Sequence, residues 1–217
     1  MNQPANALLA ATDLACRRGE RLVFTNLSFA LGPGQALILR GPNGSGKSSL
    51  LRLMAGLSRP ERGELSWQGA NIADDPAAHR ARLHFIGHLD AIKPALNVSE
   101  TLTFWAGMRD NPDRVPAALD HFRLGRLATV PCRFLSAGER KRLALARLIA
   151  SSAELWLLDE PTTSLDTAAT EDLLHAIESH LAGGGCAAIA SHGPLAIENA
   201  TTLALDDYTP RGRALAA

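Results

Sequence analysis

Gly41-Pro42-Asn43-Gly44-Ser45-Gly46-Lys47-Ser48 is the stretch on which the reading of this chain turns. Glycines at 41 and 46 bracket four residues and are followed at once by a lysine and a hydroxyl, the spacing of a phosphate-binding loop. Glycine lets successive N–H groups curve around an anion with no Cβ in the way. Lys47 is placed to set its ammonium against phosphate oxygens, and Ser48 to offer a hydroxyl to a divalent cation. Gly41, Pro42, Asn43, Gly44, Ser45, Gly46, Lys47, Ser48 and Ser49 are therefore the candidate phosphate-binding residues. Only three lysines occur in 217 residues, so one here is not incidental surface charge.

The flanks supply the context such a loop needs. Ala36 to Leu39 is a short apolar run that reads as a buried strand. Ser49 to Leu57 has the wide apolar face of a helix, whose positive N-terminal end points at the loop. Further out, Leu22 to Phe29 and Gly63 to Trp67 read as strands, and His84 to Gly87 as a short apolar stretch before a loop. Helix is expected from Ser99, interrupted at Asn111-Pro112-Asp113, and again from Val115 to Phe122. Ser136 to Ser151 reads as an amphipathic helix, with Leu143, Leu145, Leu148 and Ile149 apolar and Arg140, Lys141, Arg142 and Arg147 adding charge. Leu155 to Leu158 is a strand, Thr170 to Leu181 a helix closed by Gly183-Gly184-Gly185, and Cys186 to Ala190 a buried strand. Leu203 to Leu205 reads as the last strand, before a frayed tail from Thr209. Strands alternating with helices make the fold class α/β. The block from about 90 to 150 has no clear strand and reads as a helical insertion within one domain spanning 1–217.

A strand of apolar residues that ends in paired acids needs a reason, because a carboxylate gains nothing from burial. In LWLLDEP (155–161) Asp159 suits a divalent cation, and Glu160 suits the general base that polarises an attacking water. Ser136 followed three residues on by Glu139 is a capping box for the next helix.

The bulk numbers exclude other classes. Lysine plus arginine and aspartate plus glutamate both total 22, so bulk charge does not hold this chain to nucleic acid. Cys16, Cys132 and Cys186 are far apart and suggest neither disulfides nor a zinc site. The N-terminus has no basic run leading into an apolar one, so no signal peptide is expected. No stretch approaches the roughly 20 apolar residues that span a bilayer.

The order of phosphate loop, Leu135-Ser136-Ala137-Gly138-Glu139, strand-Asp159-Glu160-Pro161, Ser164-Leu165-Asp166 and Ser191-His192 resembles the ATP-binding cassette ATPases over nearly the whole chain. That resemblance implies a P-loop NTPase core with an N-terminal β-rich part and an inserted helical subdomain, using ATP and Mg²⁺. It implies a second copy of the same chain, whose nucleotide Ser136 and Gly138 approach, with Asp166 organising the two sites. It makes His192 a γ-phosphate contact that places Glu160. Catalysis then falls to Glu160, His192 and Lys47, and the metal to Ser48 and Asp159. Ala137 and Glu139 depart from the family's LSGGQ. His88 stands where the family has a metal-sensing glutamine, as a candidate nucleotide and metal contact. Arg18 stands near the family's adenine-stacking aromatic. A guanidinium plane can stack on a base with low base selectivity, or Arg18 can be a solvated charge.

Phe85 to Leu96, with Ser99-Glu100, Phe104-Trp105 and the RGERLVF near the N-terminus, is similar within that superfamily to the ATP-binding subunits of the bacterial haem exporter of cytochrome c biogenesis. The resemblance implies a translocase-class ATPase, peripheral on the cytoplasmic face of the inner membrane. Its partners would be integral membrane subunits of a haem-handling complex, and hydrolysis would release a haem-loaded periplasmic chaperone. No direct haem ligation is expected. The Leu89–Trp105 region would meet the membrane subunits or fill the helical core. The motifs also leave open another cargo, or a low-activity regulatory cassette.

Overall fold

The computed structural model describes residues 6–109 and 111–210. Two sheets share one molecule. The first is antiparallel, in the order β2 (Arg21–Leu31), β1 (Leu9–Arg18), β4 (Arg62–Trp67), β5 (Ala70–Asn71). The second is parallel, in the order β6 (Leu83–Ile86), β7 (Leu155–Asp159), β8 (Cys186–Ala190), β3 (Ala36–Arg40), β9 (Ala200–Ala204). Helices α1 (Lys47–Met54), α2 (Pro76–Ala81), α3 (Val98–Gly107), α4 (Val115–His121), α5 (Ala137–Ala150) and α6 (Thr167–Ala182) complete the fold.

The period of two along the parallel strands divides the core into layers. Leu37, Leu39, Leu155 and Leu157 face the first sheet and meet Leu14, Phe24 and Leu27, with Leu50 and Met54 of α1 beside them. Their alternate neighbours Ile38, Trp156, Leu158 and Ile189 face the other way, onto Leu102, Phe122, Leu143 and Ile177 of the helices. Both faces are covered, which is why β3, β7 and β8 are continuous apolar runs.

The expected strands at 22–29, 36–39, 63–67, 155–158 and 186–190 and the helices at 49–57 and 136–151 all appear, displaced by a few residues at their ends. β1 is the strand that the pattern hid. Its burial does not alternate, because Asp13 takes a left-handed φ of 48° and the pairing slips between Ala11 and Leu14 and again around Cys16. Helix α2 has only one turn and a half. Pro76 opens it, and Asp75 caps it by accepting the Ala78 N–H at 2.9 Å. The last strand ends earlier than expected, at Ala204. Leu205 instead begins a 3-10 turn running to Tyr208, which brings Asp206 beneath the phosphate loop. Of the tail expected to fray, residues beyond 210 lie outside the described residues.

Two of the charged residues of α5 are buried. Lys141 is 6% exposed and Arg147 5%. Arg147 Cζ stands over the Trp105 ring, 3.8 Å from its centroid, and burial pushes its guanidinium down to about 10. The Leu89–Trp105 region divides between both expectations. Val98 and Leu102 are core, whereas Leu89 is 82% exposed and Phe104 48%, with Met108 exposed beside them.

Candidate active site

The functional residues gather where the sheet's architecture puts them. In a parallel sheet every strand delivers its C-terminal residues to the same edge, and here β3, β7 and β8 are neighbours. β3 runs into the 41–46 loop and α1. β7 ends on Asp159, followed by Glu160, and β8 is followed by Ser191 and His192. A cavity of about 330 Å³ at that edge is lined by Asn43, Gly44, Gly46, Lys47, Ser48, Ser49, Asp159, Glu160 and His192. Arg18, Arg21 and Val23 of the β1–β2 hairpin line it too.

The loop has the curvature its glycines allow. Gly41, Gly44 and Gly46 have φ of 143°, 81° and 106°. A Cβ on Gly46 would lie 2.5 Å from Val23 Cγ1, so β2 presses directly on the loop. Lys47 is buried and folded across the loop, its Nζ donating to Gly41 O at 2.7 Å and Pro42 O at 3.2 Å. Ser45 Oγ is buried with no hydrogen-bond partner.

Glu160 holds a left-handed φ of 48°, and its N–H donates to Ala190 O at 3.0 Å. The His192 N–H donates to Glu160 Oε2 at 3.4 Å. His192 Nε2 stands 3.3 Å from both Lys47 Nζ and Glu160 Oε1. An ammonium only donates, so Nε2 accepts from Lys47 with its lone pair and has no proton for Glu160. Glu160 Oε1 is accordingly buried with no hydrogen bond. The 3.3 Å approach is a proximity, not a bond. The 191–193 loop is itself anchored from β3, where Arg40 donates to the carbonyls of Ser191 and Gly193.

Ser136 and Gly138 do not line this cavity. Ser136 caps α5, its Oγ accepting the Glu139 N–H at 3.3 Å while Glu139 Oε2 accepts the Ser136 N–H at 2.8 Å. Those bonds hold the Glu139 carboxyl below the usual carboxylate range. A Cβ on Gly138 would meet Ser164 O at 3.0 Å, so the 136–138 and 164–166 segments lie against each other. Asp166 caps α6 through Ala169 N–H at 2.7 Å. His88 is exposed and likewise outside the cavity.

Arg21 and Val23 were not among the candidates read from sequence. The available signal was the hairpin register, which sets Arg21 opposite Arg18 across Gly19-Glu20.

Residues 24–163 match the family model described as ABC transporter. The chain belongs to the ATP-binding subunits of ABC transporters. It is 53% identical to the cytochrome c biogenesis ATP-binding export protein CcmA of Rhodospirillum rubrum, over 95% of this chain and 89% of that one. It is 49% identical to the protein of the same name in Paramagnetospirillum magneticum, over 94% and 96%. A solved ATP-binding subunit of an ABC transporter superposes with a TM-score of 0.79 at 27% identity, covering 85% of this chain and 79% of the other. A putative ABC transporter ATP-binding protein from Pyrococcus furiosus has the same fold, with a TM-score of 0.81 at 23% identity over 93% and 98%. The P-loop core with its β-rich N-terminal sheet and inserted helices is thus the ABC ATPase fold.

Proposed function

We propose that this chain hydrolyses ATP to drive a membrane complex that handles haem in c-type cytochrome maturation. The observation that carries the chemistry is the 330 Å³ cavity that joins the 41–48 loop to Asp159, Glu160 and His192. The role in cytochrome c biogenesis rests on the relatives, whose names carry that function at up to 53% identity.

The triphosphate fits a loop of N–H groups with an orphaned Ser45 hydroxyl beside it. Lys47 would leave the Gly41 and Pro42 carbonyls for the phosphate oxygens, which are stronger acceptors because they are charged. That frees His192 Nε2, which can then carry a proton toward Glu160 or the γ-phosphate. Glu160 takes the proton of the attacking water as the water oxygen bonds to the γ-phosphorus and the bond to the ADP oxygen breaks. Ser48 and Asp159 suit Mg²⁺, whose charge would offset the phosphate oxygens when it is bound. Among the described residues no cluster of three His, Cys, Asp or Glu is present, so the ion would take its other ligands from phosphate and water.

Ser136, Gly138, Ser164 and Asp166 lie outside the chain's own cavity, with Gly138 against Ser164, which supports their acting on the nucleotide of a second copy. Leu89, Phe104 and Met108 are exposed large apolar side chains of the kind that integral membrane subunits would cover. Among the described residues no helix is long and apolar enough to cross a membrane. The cytoplasmic face of the inner membrane, reached through such partners, is the location that the role in the complex requires.

The test is the chromosomal Glu160→Gln change in the source cell. Loss of c-type cytochromes with b-type haem proteins retained is expected. Normal c-type cytochromes, with the variant expressed and hydrolysis-dead, would assign the ATPase to another cargo.

A further inference from the structure

His192 reaches the site from a segment that the sheet does not hold. β8 ends at Ala190, and β9 begins at Ala200 on the far side of β3. Because the strands are parallel, residues 191–199 must run from one edge of the sheet back to the other, and they do so without helix or strand. The last bond that ties them to β3 in the manner of a ladder is Ser191 N–H to Leu39 O, at 3.4 Å. Yet His192 Nε2 stands 3.3 Å from both Lys47 Nζ and Glu160 Oε1.

Arg40, the last residue of β3, supplies what the ladder does not. Its Nη1 carries two N–H groups and donates to Ser191 O at 3.0 Å and to Gly193 O. These are the carbonyls on either side of His192. Gly193 O also accepts the Ser191 hydroxyl at 3.1 Å. Each peptide group is a rigid plane, so fixing the planes before His192 and after Gly193 leaves the backbone between them little freedom to turn. Glycine at 193 would otherwise turn easily. The guanidinium has no competing partner: among the described residues no carboxylate lies within 4 Å of Arg40. Nor does Arg40 line the nucleotide cavity. The next residue is Gly41, whose carbonyl accepts Lys47 Nζ at 2.7 Å. One strand end therefore fixes His192 and the lysine that it meets. We propose that Arg40 is a positioning residue for hydrolysis, holding His192 against Glu160 without taking part in nucleotide binding. The proposal rests on reading His192 as a group of the hydrolytic site and adds what places it there.

The test is a double-mutant cycle on MgATP hydrolysis by the full chain, with kcat expressed per MgATP site counted by calorimetry. Arg40→Met keeps the length of the side chain and removes its donors. It is expected to lower kcat about tenfold and leave KM within about twofold, because the contacts of the nucleotide itself are untouched. In a His192→Ala background the same change is expected to alter kcat less than about twofold, because no imidazole is left to misplace. Arg40→Lys, whose ammonium still donates to a carbonyl, is expected to lose only about threefold. If Arg40→Met does not fold, Arg40→Lys carries the same cycle, and its loss too must vanish without His192. Proton NMR gives a second reading. The His192 imidazole signal, assigned by its loss in His192→Ala, is expected to move in the Arg40 variant, while the other six of the seven histidines keep theirs. Wild-type kcat in Arg40→Met, a raised KM at constant kcat, equal losses in both backgrounds, or an unmoved His192 signal would each overturn the proposal. Wild-type turnover by His192→Ala would instead remove the reading of His192 beneath it.

Discussion

Replacing Gly46 by alanine tests whether β2 shapes the phosphate loop. Two separate penalties meet there. The φ of 106° lies where an L-residue is strained, at about 1–3 kcal/mol. The new Cβ would also sit 2.5 Å from Val23 Cγ1 and 3.1 Å from Phe24 Cδ1, an overlap worth about 1–3 kcal/mol in a packed site. Gly44 is the control, because its φ is 81° and nothing lies within 4 Å of a Cβ there. If the bound loop must keep its present curvature, Gly44→Ala pays only the strain and should weaken MgATP about tenfold. Gly46→Ala should weaken it about 100-fold or more. Val23→Ala in the Gly46→Ala background removes the shorter of the two contacts, leaving that with Phe24, and should restore about tenfold. The assay is MgATP binding by calorimetry, with circular dichroism to confirm folding. Equal losses at Gly44 and Gly46, or no recovery from Val23→Ala, would refute the claim that β2 braces the loop.

Other outcomes follow from the same geometry. Glu160→Gln should leave ATP affinity within about threefold and slow single-turnover hydrolysis by about 10²-fold or more, and rapid turnover would remove Glu160 as the base. Glu139→Ala should cost about 1 kcal/mol in urea unfolding by opening the capping box, whereas Glu139→Gln should cost less because it still accepts the Ser136 N–H. Burial lowers His84 to about 3, so it stays neutral in the fold while the unfolded chain takes up a proton below about pH 6.5. Its contribution to stability is therefore complete above that pH and falls by about 1.4 kcal/mol per unit on acidification toward 3. His84→Gln should flatten that slope by about one proton, and an unchanged slope between pH 6 and 4 would contradict the assignment. Gly185→Ala would put a Cβ 2.1 Å from His180 Cε1, expelling the imidazole from its 4.0 Å stack on Trp156, with lower stability and altered tryptophan emission.

Much of the fold could be read because local and global signals agree. β3, β7 and β8 are buried on both faces and therefore show as uninterrupted apolar runs. The 41–48 loop is legible because its spacing is set by the phosphate and not by the rest of the protein. The 136–139 cap was legible for a similar reason, since both halves of the box are local. β1 was not, because a left-handed residue at Asp13 breaks the period by which strands are recognised. The burial of Lys141 and Arg147 was not legible, because a helical charge pattern does not show what packs over it, and Trp105 covers Arg147. Arg21 escaped because it reaches the cavity only through pairing with β1, a strand that was itself hidden.

The placement of β3 inside the parallel sheet, between β8 and β9, has a consequence for synthesis on the ribosome. Its two neighbours, β8 and β9, come from residues 186–190 and 200–204. The nucleotide loop therefore emerges early, on a strand whose partners are still unmade. The antiparallel sheet needs only residues up to about 71 for its pairings, but its buried face packs on Leu155, Leu157 and Ala188, so it too stays uncovered until those strands are made. A nascent or truncated chain that lacks β8 and β9 would thus carry the 41–48 sequence on a strand with no parallel neighbours, and the loop would have no sheet to hold its curvature.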